Sequence, residues 1–285
     1  MIRLERVSYS YPGAEKTAIE DISFEIGKGE ILGILGPSGA GKSTLQKCII
    51  GLLGGYRGGI TFQDMSVGSV AFREQIGVQF EFPNLYESFT AIENLKFFGG
   101  FYRTQTRDPI ELLNSVGLAE DAAKKVGEYS KGMKMRLSFA RAVLHNPSVL
   151  FLDEPTSGLD PVYADQLMTL IENEKRRGVT VFLTTHNMQV AARLADRLAF
   201  IVDGKLPLID TPKALIHSYG EDIVRMEYEK EGISSTEDFR LSTLGSDEKF
   251  MEILKTGTPV SIHSQEASLD KVFAKVTGRR LNGSV

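Results

Sequence analysis

The chain has 285 residues, of which 42% are hydrophobic and 25% charged, and it carries a formal net charge of −4. This size and composition predict a soluble globular protein with more than one folding unit, and the slightly acidic balance gives no reason to expect a nucleic-acid partner. A single cysteine, Cys48, excludes an intrachain disulfide, and the absence of a signal pattern and of an apolar run of roughly 18 residues predicts a cytosolic chain.

The N-terminal region alternates apolar and polar residues over 2–9 and again over 19–26, on either side of a turn at Pro12-Gly13. A period of two residues predicts a half-exposed antiparallel pair of strands. The apolar run 31–35 predicts a buried strand, and apolar residues recur at helical spacing from Leu45 onward. The residues in between therefore form a loop that leads from a strand into a helix.

This loop has the pattern of a phosphate-binding loop, G-x-x-x-x-G-K-[ST]. In such a loop the backbone N–H groups and the helix N-terminus face the β- and γ-phosphates, the lysine reaches those phosphates, and the serine hydroxyl binds Mg²⁺. We therefore predict that the chain binds a nucleoside triphosphate with Mg²⁺. The residues concerned are Gly36, Pro37, Ser38, Gly39, Ala40, Gly41, Lys42, Ser43 and Thr44.

The rest of the chain alternates between strand-like and helix-like segments. The stretch 90–146 is mainly helical, with helices that begin at Ala91 and Pro109, and we expect it to be an insertion. Strands separated by helices of suitable length for parallel crossovers predict a mixed α/β core. The predicted strands are 76–78, 149–152, 179–183 and 198–202, followed by an appended α+β unit with strands at 223–228 and 259–262 and a helix around 247–255.

Two adjacent carboxylates, Asp153 and Glu154, follow the predicted strand 149–152. Ligands of α/β sheets usually bind at the carboxyl ends of the strands. Asp153 suits Mg²⁺ binding through water, and Glu154 suits the polarisation of an attacking water. Such a pair by itself is more often a solvated turn, and the phosphate-binding loop is what favours a catalytic interpretation.

With these motifs in this order, the chain resembles the ATP-binding subunits of ABC transporters. The segment 129–137 is similar to the family signature and retains Ser130 and Gly132, but it differs from the signature at Lys131 and Met133. In the family this loop, at a helix N-terminus, contacts the γ-phosphate of ATP bound to the opposite subunit. The resemblance therefore implies that Ser130 and Gly132 bind ATP held by a second ATPase subunit.

The same resemblance implies a role for three further residues. Asp160 ends the segment 157–160, which is similar to the family's D-loop, and His186 is similar to the switch histidine beside the γ-phosphate. Tyr11 resembles the aromatic residue that stacks on adenine, although Tyr9 is a neighbour of the same type that alternation would send to the same face. The implied fold is α/β, a P-loop NTPase of the RecA-like kind, with a mixed sheet core, an antiparallel β edge and a helical subdomain insertion at about 82–146.

One position departs from the family in a way that concerns the metal. The family normally supplies a glutamine to Mg²⁺ and the attacking water, and the flanking register puts Glu81 at that position, with Gln79 two residues earlier. Glu81 is the preferred candidate for a metal-binding and catalytic residue, and Gln79 is the alternative. A carboxylate there would bind Mg²⁺ more strongly than an amide, but it would add negative charge near the phosphates.

Three segments indicate a branch of the family. The signature 129–133 and the segment 85–95 together resemble the exporter-type subfamily that includes drug, antibiotic-resistance and sodium efflux ATPases, and the tail segment 267–279 supports this resemblance. We expect an ABC-type ATPase domain over 1–215 and a small C-terminal accessory domain over 216–285. The tail also has an amphipathic helical pattern, which favours a helix packed on its own subunit. The apolar residues of this helix are Leu269, Val272, Phe273 and Val276.

The resemblance implies an ATP-hydrolysing subunit of an exporter, on the cytoplasmic face of the membrane. Two such subunits, identical or different, would close head-to-tail on two Mg²⁺-ATP molecules and drive a separate transmembrane permease. The family's usual docking surface lies near residues 80–105, and we hypothesise that it includes an aromatic stripe. An aromatic stripe at this spacing is, however, more often part of a core. The residues of this stripe are Phe97, Phe98, Phe101 and Tyr102.

Three other functions remain open at this stage. One is a soluble ABC-type ATPase that acts on ribosomes or DNA repair complexes, although the chain has neither two cassettes nor a long coiled-coil insertion. Another is a regulatory nucleotide-binding module without turnover, which Glu81 and Met133 make conceivable but Glu154 and His186 disfavour. The third is an importer subunit, which fits the signature and the tail less well.

Overall fold

The computed structural model describes residues 2–63, 65–219, 223–230, 233–265 and 269–279. The chain divides into two compact units, residues 1–209 and 210–285. The boundary expected from the sequence, between 215 and 216, falls inside a helix over Pro212–Tyr219. Because a helix forms as a cooperative unit, the division lies before it, at the end of the preceding strand.

The described residues form thirteen strands and ten α-helices, numbered here in chain order. The strands are β1 (Ile2–Tyr9), β2 (Ile19–Ile26), β3 (Ile31–Leu35), β4 (Arg57–Phe62), β5 (Met65–Ser66), β6 (Ile76–Gln79), β7 (Val149–Asp153), β8 (Thr180–Thr185), β9 (Arg197–Val202), β10 (Lys205–Asp210), β11 (Ile223–Lys230), β12 (Ile233–Arg240) and β13 (Thr258–Gln265). The helices are α1 (Lys42–Ile49), α2 (Val70–Gln75), α3 (Ala91–Gly99), α4 (Pro109–Ser115), α5 (Lys131–Val143), α6 (Pro161–Arg176), α7 (Met188–Leu194), α8 (Pro212–Tyr219), α9 (Glu248–Thr256) and α10 (Leu269–Thr277). Within these described residues, no helix is both long enough and apolar enough to cross a membrane.

The first unit contains a six-stranded sheet in the order β10-β9-β3-β8-β7-β6 and a four-stranded sheet in the order β2-β1-β4-β5. In the six-stranded sheet, β3 runs parallel to both β8 and β9, and β7 runs parallel to both β6 and β8. The four-stranded sheet is antiparallel throughout. This arrangement confirms the predicted mixed α/β core with an antiparallel edge, and it brings the carboxyl ends of β3, β7 and β8 together at one edge.

The central strands are buried on both faces. On one face of the six-stranded sheet, Leu150, Leu152 and Leu183 join a hydrophobic cluster with residues of α3, α4, α5 and α6. On the other face, Phe151 and Phe182 join a second cluster with residues of β1, β2 and α1. Successive side chains of a strand point to opposite faces, so a strand covered on both sides consists of continuous apolar residues.

Helices α3, α4 and α5 lie between β6 and β7, within the stretch that the sequence predicts to be helical. Local signals fix where these helices begin. Thr90 and Glu93 form a reciprocal capping box at the start of α3, and the Asp108 carboxylate accepts hydrogen bonds from backbone N–H groups of the first turn of α4. Proline is suited to the first position of α4, because a backbone N–H there would have no acceptor within the helix. These caps explain why the predicted starts at Ala91 and Pro109 are confirmed.

A buried ion pair joins the segment before α4 to α6. The Arg107 guanidinium donates two hydrogen bonds of 2.7 Å to the two carboxylate oxygens of Glu174. Both side chains are largely buried, and the Asn146 amide oxygen accepts a third bond from Arg107 at 2.7 Å. A bidentate pair of this kind fixes orientation as well as distance, so it holds the insertion in place against the core.

The second unit has its own sheet and core. Its three antiparallel strands lie in the order β12-β11-β13, and α9 covers them through Phe250 and Ile253. Helix α10 packs against α8 and buries Leu269, Val272 and Phe273. The predicted amphipathic helix is therefore present, whereas Ala267 and Ser268 of the tail segment lie outside the described residues.

Four strands, β4, β5, β10 and β12, do not follow from the sequence pattern. The Gly58-Gly59 pair suggests a break, but it lies within β4, where β4 pairs with β1 across an irregular register. At Gly58, where φ is +92°, an added Cβ would lie 2.3 Å from the Arg6 carbonyl oxygen, so this position requires glycine. Strand β12 is largely polar and exposed, so it lacks the apolar alternation that identifies a strand. Strand β10 is an edge strand that contains Pro207, and β5 has only two residues.

The buried imidazole of His145 predicts a pH-dependent stability. Its Nε2 lies 3.0 Å from the Ile76 carbonyl oxygen, and its ring stacks on Tyr102 at 3.7 Å. Burial lowers the pKa of His145 to about 4, against the opposing effect of the Ile76 hydrogen bond. Between pH 6.5 and pH 4, the imidazole of His145 therefore stays neutral in the folded chain but takes up a proton in the unfolded chain. The free energy of unfolding therefore decreases as the pH falls from 6.5 towards 4.

A His145→Gln variant retains a donor for the Ile76 carbonyl oxygen but lacks this titration. We expect its free energy of unfolding to decline less between pH 6.5 and 4, by about 3 kcal/mol relative to the parent chain. Urea unfolding of both proteins across this range measures the difference. Parallel pH profiles for the two proteins would contradict the prediction.

Candidate nucleotide-binding site

A pocket of about 330 Å³ lies where β3, β7 and β8 end. The loop after β3 and the residues after β7 and β8 meet there, at the edge where ligands of parallel sheets usually bind. The lining residues are Tyr11, Ala18, Ser38, Gly39, Gly41, Lys42, Ser43, Thr44, Glu81, Asp153, Glu154 and His186. Of the predicted residues, Gly36, Pro37, Ala40, Ser130, Gly132 and Asp160 do not line it.

The loop 36–44 has the close packing that its glycines allow. At Gly36, an added Cβ would lie 2.3 Å from the Ile201 carbonyl oxygen, and at Gly41, where φ is +109°, it would lie 2.7 Å from the Ala18 carbonyl oxygen. Both positions therefore require glycine. The Lys42 ammonium donates hydrogen bonds to the Gly36 carbonyl oxygen at 2.7 Å and to the Pro37 carbonyl oxygen at 3.1 Å. The loop thus wraps around its own lysine.

Asp153 is held by hydroxyl groups from two other elements. The Ser43 hydroxyl at the start of α1 donates to Asp153 Oδ2 at 2.9 Å, and the Thr184 hydroxyl of β8 donates to Asp153 Oδ1. Asp153 is buried, so these bonds compensate for the lost hydration of its carboxylate. They also bring together two of the three residues that the sequence assigns to Mg²⁺, Ser43 and Asp153.

Glu154 is oriented by its backbone and by two side chains. Its φ of +48° is uncommon for a residue other than glycine, and its N–H donates to the Thr184 carbonyl oxygen at 3.0 Å. The Thr185 hydroxyl donates to Glu154 Oε2 at 3.1 Å, while His186 Nδ1 lies 2.8 Å from Oε1. Strained residues of this kind cluster at functional sites. The arrangement directs a buried carboxylate and a half-exposed imidazole into the same pocket.

Lys42 is the cation of this pocket. Among the described residues, no other lysine or arginine lines it, and the Lys42 ammonium lies 3.9 Å from Glu154 Oε1. Burial lowers the pKa of Lys42, and the carboxylates of Glu154, Asp153 and Glu81 oppose that shift, with Glu154 having the largest effect of the three. A partly desolvated ammonium interacts strongly with phosphate oxygens because little water screens it.

The structure separates the two candidates for the glutamine position of the family. Glu81 lines the pocket together with Ser43 and Asp153. Gln79, the last residue of β6, is fully buried, and its amide nitrogen donates to the Met135 carbonyl oxygen at 3.4 Å. Gln79 therefore points into the core, away from the pocket that Glu81 lines.

The two tyrosines of the N-terminal region also lie in different environments. Strand β1 ends at Tyr9, which is buried, whereas Tyr11 lies beyond the strand and is 40% exposed at the pocket. The Tyr11 hydroxyl is 3.2 Å from the Thr44 hydroxyl, and its ring packs edge-on against Tyr9. The two rings therefore lie side by side, but only Tyr11, which follows the end of the strand, is exposed to the pocket.

Ser130, Gly132 and Asp160 lie at the starts of two helices outside the pocket. The Ser130 hydroxyl caps α5 by accepting from the Met133 N–H at 3.2 Å. The Asp160 carboxylate caps α6 in the same way through Val162. The two loops are adjacent, because a Cβ added at Gly132 would lie 3.3 Å from the Gly158 carbonyl oxygen.

Sequence reasoning missed the two threonines that end β8. Thr184 and Thr185 are fully buried, and each donates to one of the two acidic residues after β7. The signal available in the sequence was two hydroxyl residues at the end of an apolar strand, immediately before His186. Ala18, which also lines the pocket, carried no signal of its own.

The donor set fits a hard divalent cation. Ser43, Asp153 and Glu81 offer hydroxyl and carboxylate oxygens, the ligands that Mg²⁺ prefers. In the described part of the chain, however, no three acidic, histidine or cysteine side chains are grouped so that they alone could hold a metal. A cation bound there would need further oxygens, such as those of a phosphate chain.

Fold and pocket together define a P-loop nucleotide-binding protein. A model of the ABC transporter family matches residues 19–157, and a model described as the fluoroquinolone efflux ABC transporter C-terminal domain matches residues 222–266. The chain is 48% identical over 284 residues to a fluoroquinolones export ATP-binding protein of Mycobacterium tuberculosis, covering 99% of this chain and 94% of that protein. It is 35% identical to the Nod factor export ATP-binding protein I of Burkholderia lata, covering 94% of each. The chain therefore belongs to the ATP-binding subunits of ABC transporters, a family of ATPases.

Solved structures agree with this assignment. The ATP-binding subunit of an ABC transporter matches with a TM-score of 0.70 and 28% identity, over 77% of this chain and 93% of that one. A dimeric ATP-binding cassette in a post-hydrolysis state, bound to ADP and Pi, matches with a TM-score of 0.67 and 28% identity, over 74% of this chain and 98% of that one. The predicted P-loop NTPase fold is confirmed.

Proposed function

We propose that this chain hydrolyses Mg²⁺-ATP to drive an exporter whose transport path is a separate membrane-spanning permease. The observation that carries the hydrolytic role is the buried Glu154 carboxylate, 2.8 Å from His186 Nδ1 and beside Lys42 in the phosphate-loop pocket. The exporter role is supported by full-length relatives that are named export ATP-binding proteins. Such a subunit works on the cytoplasmic face of the membrane, through its partner.

Hydrolysis requires little covalent chemistry from the protein, because phosphoryl transfer to water depends on positioning of the reactants and on stabilisation of the charge on the phosphates. The proposed general base is Glu154, whose carboxylate accepts a proton from the attacking water. Thr185 and His186 hold this carboxylate in one orientation. Lys42 and the N–H groups of the phosphate loop would stabilise negative charge on the phosphates, and Tyr11 would stack on the adenine.

The proposed cation is Mg²⁺, held by Ser43, Asp153 and Glu81. When bound, it would neutralise charge on the β- and γ-phosphates. The chain's own hydrogen bonds prepare this site, because Ser43 donates to Asp153 at 2.9 Å and keeps both oxygens at the same end of the pocket. Thr184 orients the same carboxylate from β8.

A second ATPase subunit, identical or different, would complete each site. Ser130, Gly132 and Asp160 lie at helix starts outside the pocket, which suits contact with a nucleotide held by another chain. Two of the similar solved structures are dimeric cassettes. Closure on ATP and reopening after hydrolysis would then move the permease.

The permease would dock on the aromatic face of the segment 80–105, which lies between β6 and α4 in the chain. A groove of about 620 Å³ there is lined by Phe98, Tyr102 and Arg141, among others. Of the four aromatic residues that the sequence suggested, Phe97 and Phe101 do not line this groove. Their two rings pack edge to face on each other, with centroids 5.2 Å apart. Phe101 is 67% exposed, and Phe82, which lines an adjoining groove, is 71% exposed, so the segment 80–105 presents large apolar side chains to a partner.

Replacing Phe82 and Phe101 together by alanine is expected to weaken co-purification with the membrane partner by about tenfold or more. Each ring contributes about 1.5–3 kcal/mol when fully buried in an interface. An Ile110→Ala variant is the matched control, because Ile110 is a large apolar residue that is 49% exposed on α4, outside the segment 80–105 to which the docking proposal refers. Unchanged partner recovery by the double variant would contradict the docking proposal.

The whole proposal is tested by ATP hydrolysis with and without a polytopic membrane protein that co-purifies with this chain. We expect Mg²⁺-dependent turnover that rises when both proteins are reconstituted in vesicles. Tight ATP binding without turnover in both samples would instead indicate a regulatory module. Turnover stimulated by ribosomes or DNA but not by the membrane protein would indicate a soluble ABC-type ATPase.

A further inference from the structure

Glu81 is a carboxylate without a partner at the edge of the pocket. In the part of the chain that the structure describes, its side chain takes part in no hydrogen bond or ion pair, although it is only partly exposed. It lines the pocket beside Ser43 and Asp153, and its charge acts on Lys42. A half-buried carboxylate that forms no ion pair within the described residues is suited to bind a cation that enters the pocket together with a ligand.

The charges that line the pocket do not balance. Asp153, Glu154 and Glu81 contribute three carboxylates to this lining, and Lys42 is the ammonium in it among the described residues, whereas Lys47 and Arg73 lie with Glu81 and Asp153 in the adjoining groove. A glutamine at position 81 would leave two carboxylates and one ammonium. ATP is itself a polyanion, so the third carboxylate increases repulsion of the bare nucleotide in a pocket where little water screens it.

A divalent cation reverses this effect. Because no three acidic, histidine or cysteine side chains among the described residues could hold a metal by themselves, the cation needs phosphate oxygens as additional ligands. In the presence of ATP, the same Glu81 charge that repels the phosphates attracts the cation bound to them. A carboxylate binds Mg²⁺ more strongly than an amide oxygen does, because its charge is greater.

We infer that Glu81 makes nucleotide binding by this chain conditional on a divalent cation: the chain selects the metal–nucleotide complex and rejects the metal-free nucleotide. This inference rests on the proposed function of the pocket. It gives residue 81 a role in ligand selection, which is separate from any role in positioning the attacking water. Because coupling between two ligands is reciprocal, the nucleotide strengthens cation binding by the same factor.

The experiment compares the equilibrium affinity of the full chain for a fluorescent ATP analogue in Mg²⁺ and in excess EDTA at fixed ionic strength. For the native chain we expect a large ratio between the two dissociation constants. In Glu81→Gln that ratio should fall by about tenfold or more, chiefly because the variant binds the metal-free nucleotide more tightly. Glu87→Gln is the matched control, because it removes the same charge from an exposed side chain that pairs with Lys134 outside the pocket.

The outcomes are distinct. An unchanged ratio in Glu81→Gln, with native-like thermal unfolding, would overturn the inference and leave the nucleotide site intact. An equal fall of the ratio in Glu87→Gln would also overturn it, because the effect would then come from overall charge. If the native chain bound the analogue under neither condition, the proposed function itself would fail.

A second readout follows from reciprocity and does not depend on the EDTA condition. In the presence of saturating ADP, titration with Mn²⁺ followed by electron paramagnetic resonance should give a weaker apparent Mn²⁺ affinity for Glu81→Gln than for the native chain. The change should have the same direction as the fall of the ratio, because both report the coupling between a divalent cation and a nucleotide at residue 81. Equal Mn²⁺ affinities of the two proteins would contradict the inference.

Discussion

A Glu154→Gln variant should hydrolyse ATP at least about a hundredfold more slowly than the native chain while it still binds Mg²⁺-ATP. General base catalysis contributes roughly 10²–10⁴-fold to rates, and an amide does not accept the proton of the attacking water. The amide oxygen still accepts from the Thr185 hydroxyl, which donates to Glu154 Oε2 at 3.1 Å in the native chain. Binding and catalysis should therefore separate in this variant.

Two measurements check this expectation. Phosphate release at saturating Mg²⁺-ATP reports the rate, and size-exclusion chromatography in ATP reports whether a nucleotide-held dimer accumulates. Glu120→Gln is the control, because Glu120 is exposed and does not line the pocket. A Glu154→Gln variant that turns over at the native rate would show that another group activates the water, and the proposed mechanism would be wrong.

The second large effect concerns nucleotide affinity. Replacing Lys42 with methionine should weaken Mg²⁺-ATP binding by about a hundredfold, because hydrogen bonds from a charged group are worth about 1.5–3 kcal/mol. The buried ammonium donates to the loop carbonyls of Gly36 and Pro37, and its pKa is lowered by burial. Methionine retains much of the side-chain volume but removes the charge that faces the carboxylates of the pocket.

Lys47→Met provides the matched control for this prediction. Lys47 lies on the same helix, α1, and lines the adjoining groove beside Ser43 and Asp153 rather than the phosphate-loop pocket, so it tests a nearby ammonium that does not face the phosphates. Calorimetric titration with Mg²⁺-ATP measures both affinities, and thermal unfolding without nucleotide verifies that each variant folds. If Lys42→Met bound ATP as tightly as Lys47→Met, the ammonium would have no part in phosphate recognition.

These two variants and Glu81→Gln address different properties of one pocket. Glu154→Gln should lower the rate of ATP hydrolysis without changing the affinity for ATP. Lys42→Met should lower the affinity for every form of the nucleotide, and Glu81→Gln should reduce the preference for the metal-bound nucleotide. The distinction follows from position, because Glu154 is held by Thr185 and His186, Lys42 by the phosphate loop, and Glu81 by no side chain among the described residues.

Local patterns in the sequence determined much of the fold. The alternation over 2–9 and 19–26 corresponds to β1 and β2, and the strand, loop and helix around 36–44 correspond to β3 and α1. The starts of α3 and α4 were predictable because capping residues act within one turn of the helix. Periodicity, caps and the phosphate loop are short-range properties, so a single chain carries them without reference to its tertiary structure.

Only the tertiary structure decided which side chains meet. The sequence offers no means of pairing Thr184 with Asp153 or Thr185 with Glu154, because these pairs depend on the register of β7 against β8. It left Glu81 and Gln79 as alternatives, whereas the end of β6 directs Gln79 into the core. Strands β4 and β12 were missed for the same reason, since the stability of a glycine-rich or polar strand comes from its partner strands rather than from its own residues.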